Sequence, residues 1–202
     1  VLTGDHATGS PRAPSGRGGP ATCTTASAEG VRRVTHRHTG SLTPVCNRAL
    51  DVVVSSFIED VTSALVEATA GLDDVDTTRL ADDVTVEAFH LCTAMIDADE
   101  RHTTDELDAL IDAFGHRLPD TQLIMATPDD LRGSSIVAGR RRWLDEDSDL
   151  FAILVDADRR HGTHLAERYY DRALDIAHVV ASLDVVPSTA ELTAISTLRS
   201  RL

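Results

Sequence analysis

Lysine is absent from this chain of 202 residues, and all 19 of its basic residues are arginine. A phosphate-binding loop of the Gly-Lys-[Ser/Thr] type, a Schiff base and a pyridoxal phosphate anchor all need a lysine amine. The composition therefore excludes these three kinds of chemistry for this chain.

Aromatic residues are also scarce, at 3% of the chain. The core must therefore be built mainly from alanine, valine, leucine and isoleucine. Because aromatic side chains are enriched in strands, their scarcity favours close-packed helices over a β-sandwich or barrel.

Cysteines and long apolar runs are few as well. Cys23, Cys46 and Cys92 have no metal-site or disulfide spacing, and their odd number is typical of a reducing compartment. No apolar run approaches about 18 residues, so we expect no transmembrane segment. The N-terminus shows no apolar region of a secretory signal. We therefore expect a cytoplasmic protein.

The charge is distributed unevenly. Residues 1–45 carry five arginines against Asp5 and Glu29, a net charge of +3, which leaves −17 on residues 46–202. Because residues 46–202, the acidic body of the chain, carry this much negative charge, they repel nucleic acid phosphates. We therefore expect no nucleic acid partner. Residues 1–45 are rich in Gly, Pro, Ser, Thr and Arg, a composition that predicts a disordered N-terminal segment.

Residues 46–202 show apolar residues at spacings of three and four, which predicts an all-α domain. The predicted helices are 47–70, 77–97, 104–114, 119–126, 148–155, 163–182 and 188–202. They form two halves, 46–126 and 148–202, joined by a linker at 127–147. The last helix runs to the final residue, which is typical of a module joined to something larger.

A repeat relates the two halves. An offset of 85 residues places Asp99 on Asp184, without a gap. It also places Thr103 and Glu106 on Ser188 and Glu191, and each pair has the spacing of a helix capping box. Self-similarity at a fixed offset indicates a duplicated unit, so we predict two pseudo-symmetric helix-loop-helix halves.

The segment Ala98–Glu106, with Asp99, Thr103 and Glu106 in the pattern Asp-x-x-x-[Ser/Thr]-x-x-Glu, resembles the tellurite-resistance TerB-like family. Family members usually carry Gly where this chain has Glu100 and, in the second copy, Val185. The segment Leu144–Tyr170 looks like a stretch found upstream of AAA-type ATPase modules in actinobacterial proteins. The resemblance covers residues 47–202 and implies a TerB-like helical bundle. It also implies a non-catalytic interaction or regulatory module, attached to or serving an AAA-type ATPase.

A weak divalent cation site, for calcium or magnesium, is predicted at Asp97, Asp99 and Glu106. Hard cations take several oxygen ligands, and TerB-like proteins have been linked to divalent metal through acidic residues. The structural alternative is that each loop aspartate accepts backbone N–H groups in an Asx-turn. The second copy has Val185 and Val186 in its loop, so we expect it to be the poorer site.

Catalysis finds little support in the sequence. His90, Cys92 and Asp97 form no nucleophilic set, because helix residues two apart point to different sides. We therefore expect a protein that is not an enzyme.

The run from Arg140 through Arg141 and Arg142 to Trp143 is the predicted partner contact, since Arg and Trp carry much interface energy. Its alternative is that the arginines pair with the acidic surface of the body. Besides the ATPase-serving module, two functions remain open. One is a free-standing acidic stress-response protein of the tellurite-resistance type that binds divalent cations. The other is a sensor of small ligands in a pocket between the halves.

Overall fold

The computed structural model describes residues 43–70, 76–118, 121–184 and 186–201, and the structural statements below concern these residues. Three of the sequence predictions fall outside them: disorder in residues 1–42, the end of the first helix at Gly71, and a helix start at Pro119.

The described residues form seven α-helices and two 3-10 helices and contain no strand, which confirms the all-α fold class. The α-helices are α1 (Thr43–Ala68), α2 (Thr77–Ile96), α3 (Thr104–Phe114), α4 (Pro128–Leu131), α5 (Asp149–His161), α6 (Leu165–Ala181) and α7 (Thr189–Arg201). The 3-10 helices are Leu123–Met125 and Arg141–Asp145. No described helix is both long enough and apolar enough to cross a membrane.

Helix α1 lies at the centre of the packing and contacts α2, α3, α5 and α6. Its buried residues recur at spacings of three and four, which places them on one stripe of the helix. They are Leu50, Val54, Phe57, Val61 and Leu65. The helix begins at Thr43, slightly before the domain start at residue 46 that the composition indicated.

Helix α2 is continuous through Asp82 and Asp83, as the single predicted helix over 77–97 requires. Both aspartates lie on the exposed side of the helix, where they need no interruption of the backbone ladder. The side chain that caps α2 is not that of Thr77 or Thr78, which belong to its first turn. The carboxylate of Asp76 instead accepts the backbone N–H groups of Thr78 and Arg79, at 3.0 and 3.2 Å, which satisfies two otherwise unpaired donors.

The predicted linker, residues 127–147, is folded rather than irregular. It contains α4, which begins with a capping box between Thr127 and Asp130, and the 3-10 helix Arg141–Asp145. Leu131, Val137 and Leu144 are buried in the core. These apolar residues are too widely spaced to show a helical period, which explains why sequence periodicity missed them.

Helix α5 is longer than predicted, and the loop expected at residues 156–162 is largely helical. The helix continues to His161 and ends at Gly162, which has a φ of 68°. A left-handed residue at this position is the usual end of a helix, and glycine adopts it without a steric penalty. Ala157 is fully buried, so packing stabilises the last turns of α5.

Replacing Gly115 by alanine tests the close approach between the end of α3 and the 3-10 helix at Leu123. A Cβ at residue 115 would lie 2.8 Å from the carbonyl oxygen of Ile111 and 3.2 Å from Cα of Ile124. Since both neighbours are backbone atoms, we expect Gly115→Ala to lower the free energy of unfolding by about 1–3 kcal/mol. Urea denaturation measures this, with the exposed Ser135→Ala as a control. Equal midpoints for the two variants would contradict the packing.

Candidate cation site

The loop between α2 and α3 lies against the loop between α6 and α7. Oγ1 of Thr103, in the first loop, lies 3.0 Å from Oδ1 of Asp184, in the second. It also lies 2.8 Å from Oε2 of Glu106. A hydroxyl carries one proton and can donate it to only one acceptor at a time. The two carboxylates therefore share a single donor at the junction of the loops.

Both predicted capping boxes are present. The backbone N–H of Thr103 donates to Glu106 Oε2 at 2.7 Å, and that of Ser188 donates to Glu191 Oε2 at 2.6 Å. In return, the backbone N–H of Glu191 donates to Oγ of Ser188 at 3.1 Å. The residues that the 85-residue offset equates thus make equivalent hydrogen bonds. Superposition of the complete halves stays a prediction.

Three carboxylates meet at this junction, from Asp99, Asp184 and Glu191. One oxygen of each lies within 4.8 Å of the others. Opposite oxygens around calcium are about 4.6–5.2 Å apart, because each lies about 2.3–2.6 Å from the ion. An upper limit of 4.8 Å between the three oxygens is therefore compatible with one calcium coordination shell.

Two buried oxygens of this cluster have no hydrogen bond from any described residue. They are Oδ2 of Asp99 and Oε1 of Glu191. Glu191 is 1% exposed, and the side chain of Asp99 is 7% exposed. The second oxygen of Asp99 accepts the backbone N–H of Arg101 at 3.0 Å, which is the expected Asx-turn. Nε of Arg101 lies 3.7 Å from Oδ2 of Asp99, which is an ion pair but too long for a hydrogen bond. A buried carboxylate oxygen without a donor is costly, and a bound cation would satisfy both of these oxygens.

Glu106 lies beside the cluster, and the negative charge of the cluster affects the pKa of its carboxyl. The pKa of its carboxyl is raised to about 7, chiefly by burial; the hydrogen bonds from Thr103 lower it, and the nearby carboxylates of Asp184 and Glu191 raise it. Glu106, a predicted ligand, thus lies beside the cluster of Asp99, Asp184 and Glu191. Its Oε2, however, accepts both the backbone N–H and the hydroxyl of Thr103.

Asp97, the other predicted ligand, is engaged elsewhere. Its Oδ1 lies 2.9 Å from Nε2 of His102, and its Oδ2 accepts the backbone N–H of Arg141 at 2.9 Å. Asp97 and His102 are 4% and 6% exposed. Asp97 therefore joins the α2–α3 loop to the segment around Arg141, and the structure places Asp184 and Glu191, rather than Asp97, beside Asp99.

The second copy of the repeat is part of the cluster, contrary to the expectation that it is a separate and poorer site. Sequence reasoning treated the two loops as two sites and did not foresee that they meet. The signal was available in the repeat itself, because the offset equates Asp184 with Asp99 and Glu191 with Glu106.

The backbone of the α2–α3 loop is left-handed at two residues that are not glycine. Glu100 has a φ of 61° and His102 a φ of 48°. Glu100 adopts the conformation that glycine takes most readily. The turn is therefore formed with glutamate at this position.

The side chains of the predicted partner contact, from Arg140 to Trp143, are only partly accessible to a partner. Trp143 is half-buried, and its ring centroid lies 6.3 Å from that of His90. Nε of Arg140 donates to the carbonyl oxygens of the same segment, at Ser135 and Ile136. Arg141 and Arg142 are exposed and form no ion pair with a described carboxylate. The alternative, that the triplet pairs with the acidic body, thus finds no support among the described residues.

The residues weighed for catalysis do not form a catalytic set. Cys92 is fully buried, and burial raises the pKa of its thiol far above the usual range. Burial, followed by the charge of Arg140, lowers the pKa of His90, which is half-buried. The carboxylate of Asp97 is hydrogen-bonded to His102, as described above. These three side chains therefore do not activate one another.

No protein family, no curated protein and no solved structure matches this chain.

Glu106→Gln tests the burial of the carboxyl through the pH dependence of stability. The pKa of Glu106 is about 7 in the folded chain against an ordinary value of 4.5. The folded protein therefore retains a proton that the unfolded chain loses, and the stability of wild type should fall as pH rises from 4.5 to 7. Glutamine keeps the cap and has no charge to lose, so at pH 8 the variant should be more stable by up to about 3 kcal/mol.

Denaturant melts from pH 4 to 8 in the presence of a chelator provide the measurement. The matched control is Asp83→Asn, which removes the same charge from an exposed position at the other end of α2. Parallel pH profiles for wild type and Glu106→Gln would contradict the buried position of this carboxyl.

Proposed function

We propose that this chain is a non-catalytic helical module that binds a divalent cation at the junction of its two loops. The observation that carries the proposal is the unpaired Oε1 of Glu191, buried beside carboxylate oxygens of Asp99 and Asp184. This proposal takes the cation-binding alternative of the sequence analysis and assigns the cation to both copies of the repeat.

The chemistry of the donors fits calcium better than magnesium or zinc. All three groups are carboxylates, and hard cations prefer oxygen ligands. Zinc sites in proteins commonly include sulfur or imidazole, and neither is part of this cluster. Magnesium holds its ligands at about 2.0–2.1 Å in near-ideal octahedral geometry and usually keeps several waters, whereas calcium accepts a more flexible set of carboxylates. Three protein carboxylates leave room for water, so the affinity should be modest.

A bound cation would also act on the fold. Asp99 belongs to the loop after α2, whereas Asp184 and Glu191 belong to the loop before α7 and to α7 itself. An ion held by all three connects two helix pairs that are far apart in sequence. Since it binds the folded chain and not the unfolded one, it adds to the free energy of unfolding, by about 2.7 kcal/mol at a concentration 100 times its dissociation constant.

Calorimetric titration with calcium chloride tests the proposal. We expect Asp184→Asn and Glu191→Gln each to weaken calcium binding at least tenfold, because each removes a charged ligand. Glutamine at residue 191 still caps α7, so its effect on binding is separate from any effect on the helix. Asp97→Asn should leave calcium affinity within about twofold, because Asp97 is hydrogen-bonded outside the cluster.

The matched control is Asp83→Asn, an exposed carboxylate of α2. Calcium affinity that survives both Asp184→Asn and Glu191→Gln would refute the site. So would a melting temperature that millimolar calcium does not raise.

A second function, protein contact with an AAA-type ATPase, is favoured by Arg141 and Arg142. Both guanidinium groups are exposed and without an ion pair on a body that is strongly acidic. Arginine is enriched where interfaces carry their binding energy. Without lysine the chain has no P-loop of its own, so nucleotide hydrolysis would come from the partner.

For this second function, we expect the purified chain to hydrolyse no ATP. The tagged chain, isolated from its host, should recover an ATPase, or the gene should encode one on the same polypeptide. Recovery should fall for Arg141→Ala combined with Arg142→Ala and not for Arg79→Ala, an exposed arginine at the start of α2. ATP hydrolysis by the isolated chain, or recovery without any ATPase, would exclude this function.

A further inference from the structure

A cavity of about 560 Å³ lies between the α2–α3 loop and the segment from Ala138 to Asp145. This volume is within the range of small-molecule pockets, about 300–1,000 Å³. The three carboxylates of the cation cluster are not among the residues that line it. The cavity is therefore a separate place from the proposed cation site, although the α2–α3 loop contributes to both.

One wall of the cavity holds a histidine in a fixed orientation. His102 is 6% exposed, and its Nε2 lies 2.9 Å from Oδ1 of Asp97. The other oxygen of Asp97 accepts the backbone N–H of Arg141, so this carboxylate is itself held in place. No hydrogen bond from a described residue reaches Nδ1 of His102. When Nε2–H donates to the carboxylate, Nδ1 of the neutral ring is a hydrogen-bond acceptor.

Two arginines line the same cavity. Arg141 and Arg142 are exposed, and neither forms an ion pair with a described carboxylate. Several other arginines of the chain do pair with nearby acids, including Arg117 with Asp51 and Arg172 with Asp60. Guanidinium groups bind carboxylate and phosphate with paired hydrogen bonds. An anionic group is the partner that these two side chains lack.

The cavity also contains carboxylates that a purely anionic ligand would meet unfavourably. Glu100 and Asp145 line it together with the two arginines. Like charges at short range repel, so the ligand needs donors for these carboxylates and for Nδ1 of His102. Hydroxyl or ammonium groups supply such donors.

The backbone around the cavity adds a second line of support. Glu100, His102 and Gly139 all line it, and all have positive φ, at 61°, 48° and 79°. Glu100 and His102 are not glycine, and non-glycine residues held in the left-handed region cluster at ligand sites. The pair of Asp97 and His102 explains how the loop is anchored to Arg141. It does not explain the free Nδ1 or the two unpaired guanidinium groups.

We propose that this cavity binds a small molecule that carries a carboxylate or phosphate group together with hydroxyl or ammonium donors. Arg141 and Arg142 hold the anionic group, and Nδ1 of His102 accepts a hydrogen bond from a donor. Binding needs neither the cation nor a protein partner.

Three probes test the proposal by NMR titration of the purified, nitrogen-15-labelled chain in a chelating buffer: O-phospho-L-serine, inorganic phosphate and acetate. O-phospho-L-serine should shift the amide signals of Gly139, Arg141 and Arg142. It should bind at least tenfold more tightly than either simple ion, because it adds donors to the anionic group. Phosphate binding more tightly than acetate would identify phosphate as the preferred anion, and the reverse would identify carboxylate.

Arg141→Gln combined with Arg142→Gln should weaken binding of O-phospho-L-serine at least tenfold, and both residues are exposed, so folding should be intact. His102→Gln removes Nδ1, while its amide can still donate to Asp97 from about the position of Nε2, and it should weaken binding at least threefold. Arg79→Gln, an exposed arginine about 25 Å away along α2, should leave binding unchanged.

Equal loss of binding in Arg79→Gln and the double variant, shifts centred elsewhere, or no shift with any probe would overturn the proposal. Calcium titration of the same double variant should be unaffected, which separates this site from the cation cluster.

Discussion

Repulsion between carboxylates is the constraint around which the two loops are arranged. Asp99, Asp184 and Glu191 bring three negative groups within 4.8 Å, and Glu106 lies beside them. Such a group is stable only if each carboxylate has donors, a proton or a cation. The capping boxes supply the donors for Glu106 and Glu191. The raised pKa of Glu106 agrees with its burial and with the neighbouring negative charge, and Arg101 adds one positive charge 3.7 Å from Oδ2 of Asp99.

The rest of the fold holds these loops against each other. Helix α1 packs against both α3 and α6, and it therefore joins the helix that follows the first loop to the helix that precedes the second. The contacts are made by aliphatic side chains and a few aromatic rings, including the edge-to-face pair of Phe57 and Tyr169, with centroids 5.3 Å apart. Polar groups are few inside and mostly paired. Tyr169 illustrates this, because its hydroxyl donates to Glu87 at 2.5 Å.

Local sequence rules predicted those features of the fold that depend on residues close together in the chain. The periodicity of α1, the end of α3 and the capping boxes at Thr103 and Ser188 all follow from residues within one or two helical turns. The rules failed where contacts between residues far apart in the chain determine the local structure. Residues 127–147 are held by widely spaced apolar residues and by Arg132, which donates to the carbonyl oxygen of His102. In the sequence, Asp97 is an acidic loop residue with the spacing of a cation ligand. Only its contacts with His102 and Arg141 assign it a structural role.

The segment between Arg132 and Arg141 is attached at both ends to the same short loop. Nε of Arg132 donates to the carbonyl oxygen of His102, and the backbone N–H of Arg141 donates to Asp97. Because the segment is anchored at both ends, the number of residues between the two anchors is constrained. Surface loops usually tolerate insertions and deletions well, but a residue added to or removed from this one would displace one of its two anchors. In related chains, residues 132–141 should therefore vary in composition while keeping a constant number of residues.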